Sequence, residues 1–193
     1  MSSNYFLGAQ LPWLVYEQSI PMSSVDFLAL VKDKMSSKDS SLLEQCALSG
    51  VIKTGIKTES DAKGKKKEKK PSSDFIKHWN KWESDLKLAL ASGRAKKLKR
   101  DEGEAEHDGR MNDAEITAKQ ALAMESPLEA EIFLDKARWN AIDSFQKGSI
   151  FSENAMCAYF LKLLLMERKA LFNTEEGFTE YKGLYAAILG EAK

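Results

Sequence analysis

The sequence is poor in the residues from which most catalytic and metal sites are built. Only two histidines and two cysteines occur among 193 residues. Cys46 and Cys157 form no CxxC pair and lie in apolar helical patterns, so we predict two buried, reduced thiols rather than a zinc or thioredoxin-like site. No GxxxxGK[ST], GxGxxG or GxSxG stretch is present. These absences argue against an enzyme, and no cofactor or metal is predicted.

The chain also lacks a long uninterrupted hydrophobic run. The longest one, Ala155 to Met166, contains Lys162 and is shorter than the about 20 residues that cross a bilayer. The N-terminus has neither the basic start nor the long apolar segment of a signal peptide. Lys plus Arg and Asp plus Glu number 29 each, so no net field attracts the molecule to nucleic acid or lipid. We expect a cytoplasmic protein without a membrane span.

The two histidines do not form a convincing metal site. Glu104 and His107 have the ExxH spacing of di-iron bundles, but such sites need a second motif and further glutamates on facing helices. The pair lies in an acidic, Gly-punctuated stretch, where a solvated loop is the preferred interpretation. His78 has no cysteine or carboxylate at ligand spacing, so we predict a surface position for it.

Apolar residues at helical spacing dominate the remainder, and no alternating strand pattern extends beyond the N-terminal arm. We predict an all-α fold, a helical bundle of about seven helices with an extended N-terminal arm over Asn4 to Leu14. The first strong stripe begins after the N-cap Ser73 and ends at Gly93. Its members recur every three or four residues: Phe75, Trp79, Trp82, Leu86 and Leu90. Asn112 and Glu115 have the spacing of a capping box and predict the start of a further helix that runs to about Glu125.

Two long helices around Pro127 to Phe172 form the predicted centre of the fold. Ser126-Pro127 starts the first, Gly148 closes it, and Ser152 caps the second. The second is apolar on almost all sides, which is typical of a buried helix. Where these helices pack antiparallel, Arg138 and Glu167 are expected either to form a partly buried ion pair or to be solvated separately. A last helix carries a further apolar stripe: Phe178, Tyr181, Tyr185, Ile188 and Leu189.

A lysine-rich stretch divides the sequence. The run KGKKKEKKP, Lys63 to Pro71, predicts a flexible linker over 51–72. The chain is then one helical domain over 1–193, or two lobes consisting of 1–50 plus 112–193 and of 73–100. Lysine clusters also bind nucleic acid, and Trp79 and Trp82 offer stacking surfaces. Since both tryptophans lie on an apolar stripe, the solvated linker is favoured and nucleic-acid binding is the alternative.

Three blocks of the sequence carry a family resemblance. They are NYFLGAQLPWL at 4–14, SPLEAEIFLDKARWNAIDSF at 126–145 and AYFLKLLLMERKALFNTEEGFTEYK at 158–182. In these blocks the chain resembles an uncharacterised bacterial family encoded beside the genes of V/A-type ATPases. That family is related to the funnel-shaped helical adaptor of the V-type ATPase rotor, which is built from three similar bundles. This chain is too short for three and has no clean internal repeat.

The resemblance implies a non-catalytic rotor component, peripheral to the membrane, that couples the central stalk to the membrane ring. Such a part needs stiff helices, which the segments 75–90 and 128–172 provide, and polar rims that contact neighbouring proteins of the assembly. The alternative function is a helical scaffold or interaction protein unrelated to the ATPase. The residues predicted for the partner-binding rim lie at helix ends and on polar faces: Glu129, Glu131, Asp135, Arg138, Glu167 and Arg168.

Overall fold

The structure is a computed structural model and describes residues 3–32, 34–35, 37–43, 45–46, 73–98, 112–148, 152–172 and 174–190. Over these ranges it contains eight helices and no strand, which confirms the all-α prediction. The helices are α1 (Ser3–Gln10), α2 (Ser24–Lys32), α3 (Ser37–Leu43), α4 (Asp74–Lys97), α5 (Asp113–Ala123), α6 (Pro127–Phe145), α7 (Glu153–Ala170) and α8 (Thr174–Gly190). The predicted linker at 51–72 and the Glu104–His107 pair lie outside the described residues.

The N-terminal segment differs from its prediction. Residues Ser3–Gln10 form α1 rather than an extended arm, and only the part that follows, residues 11 to 23, is irregular. Gly8 is tolerated inside the helix because Leu7 is fully buried in the core, so packing outweighs the low helix propensity of glycine. Pro12 comes after the helix end, where it breaks no helical hydrogen bond.

The predicted helix starts are confirmed by their capping bonds. The side chains of Ser73, Asn112 and Ser152 accept hydrogen bonds from the backbone N–H three residues ahead, at 3.1, 2.9 and 3.2 Å. Ser126 does the same for Glu129 at 3.3 Å, with Pro127 in the first turn of α6. These bonds satisfy backbone donors that a helix N-terminus leaves without partners.

Gly93 does not end α4, which continues to Lys97. Instead, the glycine lies where α5 approaches α4, and a Cβ atom at this position would overlap Leu122 Cδ1. The missing side chain therefore leaves room for Leu122 of α5, and the glycine does not mark a helix end. Gly148, by contrast, follows α6 with a φ of +104°, a conformation that favours glycine.

Helix α7 is the centre of the larger hydrophobic core, as predicted. Every residue from Ala155 to Met166 is buried except Tyr159 and Lys162, which are partly buried. Helices α2, α3, α4 and α6 pack against it. Both cysteines belong to this core as free thiols, and a hydrogen bond with Cys157 together with burial raises the pKa of Cys46.

A second, smaller core lies between the C-terminal part of α4, α5 and the start of α6. Three alanines of α5, which are Ala114, Ala118 and Ala121, face Leu86 and Leu90 of α4. Helix α4 thus contributes to both cores, and Trp82 packs against each of them. Trp79 is fully buried and stacks with Trp82 at 6.0 Å, so the apolar stripe of α4 serves packing.

Candidate partner interface

Polar side chains of α4, α6 and α7 meet inside the bundle in a buried charge network. Arg138 of α6 donates from Nε to Glu83 Oε2 at 3.1 Å and from Nη1 to Asp135 Oδ1 at 2.9 Å. Arg168 of α7 approaches the same Asp135 oxygen at 3.4 Å. Glu83, Asp135 and Arg138 are each at most 4 % exposed. The network therefore connects α4, α6 and α7 through charged side chains.

Asp135 is the most constrained member of this network. Its carboxylate is fully buried, and its Oδ2 atom has no hydrogen-bond partner among the described atoms. Loss of hydration raises the pKa of Asp135 above its ordinary value of 3.8, while Arg168 and Arg138 oppose that rise. Burial, assisted by the nearby Asp135 carboxylate, raises the pKa of Tyr16 to about 12.

The six residues predicted for the polar rim have different positions. Glu129 is exposed; Glu131 and Arg168 are partly buried and form an ion pair at 2.5 Å. Asp135 and Arg138 lie in the interior instead of on a polar face, because Glu83 of α4 faces them across the bundle. The sequence does not predict the part played by Glu83, since its partner is 55 positions away.

Glu167 also has a role that the sequence does not indicate. Its Oε1 accepts a hydrogen bond of 2.6 Å from the backbone N–H of Ser24, at the start of α2. It therefore holds the first turn of α2 against α7, where a carboxylate also complements the positive end of the helix dipole. Neither of the two expected arrangements is found: Arg138 and Glu167 do not pair with each other, and Arg138 is buried with Glu83 instead of being solvated.

A group of exposed apolar side chains lies on α8. Five side chains of this helix are 54–67 % exposed: Phe178, Tyr181, Leu184, Tyr185 and Ile188. At about 100° per residue they occupy about a third of the helix circumference. Four of them belong to the stripe expected from the sequence; Leu184 is not part of that prediction, and the side chain of Leu189 lies outside the described residues. All side chains described on α8 are exposed, so this stripe, here called the α8 face, is not buried by the described part of the chain.

A cleft of about 690 Å³ forms a second surface feature. One wall is the irregular segment after α1, and the other is formed by the last turns of α6 and the first turns of α7. Trp13 projects at its rim with 83 % of its surface exposed. The first half of the irregular segment is held at two points, because Tyr159 donates to Pro12 O at 2.9 Å and Lys169 donates to Tyr16 O at 3.1 Å.

The charged residues in the cleft are paired within its walls. Lys162 contacts Asp143 at 2.5 Å and lies over the Trp139 ring, 4.7 Å from its centroid. Lys136 pairs with Glu17 at 3.5 Å on the rim. Because positive and negative groups balance, the cleft presents apolar surface without a net charge.

Within the described ranges no group of three His, Cys, Asp or Glu side chains is placed to hold a metal ion. His78 is exposed and stacks on Phe145, which confirms its predicted surface position. Across the described helices, none combines the length and apolar character needed to cross a membrane.

Comparisons with known proteins give no relative. No family model matches the chain, and neither the curated proteins nor the solved structures contain a significant match. The surfaces described above are therefore the basis for assigning a function.

Proposed function

We propose that this chain is a non-catalytic helical adaptor that binds another protein through the α8 face. The observation that carries the proposal is the exposure of five large apolar side chains on one helix, while both hydrophobic cores are closed without it. A contiguous apolar patch of about 500 Å² is comparable to the largest patch on a typical monomer, and such patches are often interaction sites. Three of the five side chains are aromatic, a residue class enriched where binding energy concentrates.

The bundle formed by the other helices is suited to an adaptor, which must keep two neighbouring proteins in a fixed relative position. Helices α4, α6 and α7 are joined by the buried charge network, and their apolar faces form the cores. An amphipathic helix presented on such a support matches the common mode in which a helix lies in a partner's apolar groove. Helix α8 supplies the contact with the partner, and the bundle determines the position from which α8 starts.

For the partner, we propose a V/A-type ATPase assembly, with the chain between the central stalk and the membrane ring. This assignment rests on the sequence resemblance in the blocks at 4–14, 126–145 and 158–182, and the last block includes the start of α8. Glu129, Glu131 and Arg168 remain proposed rim contacts, since they lie at the end of α6 and α7 nearest to α8. A helical scaffold with other protein partners is the alternative.

The test is co-purification of the full-length chain from its native cell, in three versions. Tyr185→Asp places a charge in the α8 face, whereas Glu180→Lys changes an exposed polar position of the same helix. The proposal expects stalk or ring proteins of the ATPase with the unmodified chain and with Glu180→Lys, and their loss with Tyr185→Asp. Recovery of unrelated proteins would favour the scaffold, and an identical partner set for all three versions would refute the role of α8.

A further inference from the structure

The molecule carries two apolar surfaces that the described chain leaves uncovered, and they differ in shape. One is the convex α8 face; the other is the concave cleft with Trp13 at its rim. We propose that α8 of one copy lies in the cleft of a second copy, and that the exchange is reciprocal, giving a closed two-fold dimer of the isolated protein. This inference uses the α8 face, but it concerns self-association and is tested without any other protein of the ATPase.

Charge is the first argument for this occupant. The cleft has paired lysines and carboxylates and no net charge, so a strongly charged ligand would have to disrupt existing pairs. The α8 face is likewise uncharged; Lys182, at its edge, lies over the Phe178 ring at 4.4 Å. Both surfaces are apolar and uncharged at their centres and polar at their edges. This is the composition that the two sides of a protein–protein interface usually have.

Size is the second argument. The cleft volume lies within the range of pockets that enclose a bulky apolar ligand, and α8 is about 25 Å long. Five side chains that are mostly exposed represent about 500 Å² of removable surface. With a smaller area on the cleft and two copies of each contact, the dimer would bury about 1,400 Å², within the range of standard stable interfaces.

Connectivity is the third argument. Helix α8 begins after the C-terminal end of α7, whereas the cleft is lined by Ala155 to Lys162 near the opposite end of that helix. The end of α7, after which α8 begins, therefore lies about 12–22 Å along that helix from the residues that line its own cleft. When each copy places its α8 in the cleft of the other, the same pair of surfaces is in contact twice. No such surface is then left to bind a third copy, as is general for two-fold interfaces.

The experiment measures the mass of the full-length protein by light scattering over a range of concentrations. We expect a dimer for the unmodified chain. Trp13→Ala and Tyr185→Asp each alter a strongly exposed side chain, so folding is preserved, and each should weaken the dimer by at least about 30-fold in Kd, as loss of an interface hot spot does. Glu180→Lys is the matched control and should remain dimeric.

Mixing the two variants distinguishes reciprocal docking from other modes. The Tyr185→Asp copy keeps an intact cleft and the Trp13→Ala copy keeps an intact α8, so the mixture should regain one of the two contacts and form a heterodimer. A photo-crosslinker at position 13, in a mixture of ¹⁵N-labelled and unlabelled chains, should join residues 178–188 of a different copy. A monomer at all concentrations, crosslinks only within one copy, or a dimer insensitive to both variants would overturn the proposal.

Discussion

Removing Arg138 tests the physical account of the buried charge network. In Arg138→Met, an apolar chain of adaptable shape replaces the guanidinium, and Glu83 loses its partner in the interior. Breaking a buried pair from one side costs about 3–5 kcal/mol. Asp135 keeps Arg168 at 3.4 Å, so the lower part of that range, about 3 kcal/mol, is expected. For a chain of this size the midpoint of thermal unfolding should fall by about 6–12 °C.

The matched control is Lys136→Met, two positions earlier on the same helix. Lys136 pairs with Glu17, but both side chains are more than half exposed. Exposed pairs contribute about 0–1 kcal/mol, so this substitution should change the free energy of unfolding only slightly. Urea denaturation followed by tryptophan fluorescence measures both variants. Equal stability of Arg138→Met and Lys136→Met would refute the reasoning.

The pH dependence of the Arg138→Met defect provides a second check. Asp135 has a raised pKa, so between its unfolded and folded values the native state binds more protons than the unfolded state. Stability from this group therefore falls as pH rises through that window. Arg138 lowers the pKa of Asp135, and its removal should raise that pKa further. The loss of unfolding free energy caused by Arg138→Met should then be smaller at acidic pH, where Asp135 is protonated, than at neutral pH. A larger loss in acid would contradict this account.

Three further outcomes are expected. Gly148→Ala should destabilise the fold by about 1–2 kcal/mol, because its φ of +104° disfavours a side chain; Gly183→Ala, within α8, should cause no loss in the same urea denaturation. Cys46 and Cys157 should resist a thiol reagent in the native protein and both react after unfolding, since they are buried; rapid native labelling would contradict that burial. The stability of the chain should fall between pH 10 and about 12 as the raised pKa of Tyr16 is approached. In Tyr16→Phe that part of the fall should disappear, which urea denaturation at about pH 9 and about pH 11 measures.

The sequence predicts most helices because their signals are local. Ser73, Asn112, Ser126 and Ser152 are capping residues followed by apolar periodicity, and each begins a helix as expected. Local signals do not predict the helix at Ser3–Gln10, because its stability depends on burial of Leu7 by residues that are distant in the sequence. This burial outweighs the low helix propensity of Gly8. The prediction for Gly93 is wrong for a similar reason, because its contact is with another helix.

The candidate interface is less predictable than the fold. An apolar stripe such as that of α8 has the same spacing whether it is buried within its own chain or against another molecule. In α4 the stripe is internal, and in α8 it is exposed. Likewise, nothing near Arg138 in the sequence indicates that Glu83 will face it. These properties arise from tertiary arrangement, which periodicity does not encode.

The irregular segment after α1 is held through its main chain. Tyr159 and Lys169 bind the carbonyl oxygens of Pro12 and Tyr16, and every residue type supplies such an oxygen. Replacement of Trp13 or Val15, both exposed, would leave these anchors unchanged. Homologous chains should therefore be able to vary these exposed side chains without moving the segment, while Leu14 and Tyr16, which are buried in the core, should stay large and apolar or aromatic. The segment can thus evolve like a recognition loop on an antibody framework, with a constant path and changeable contacts.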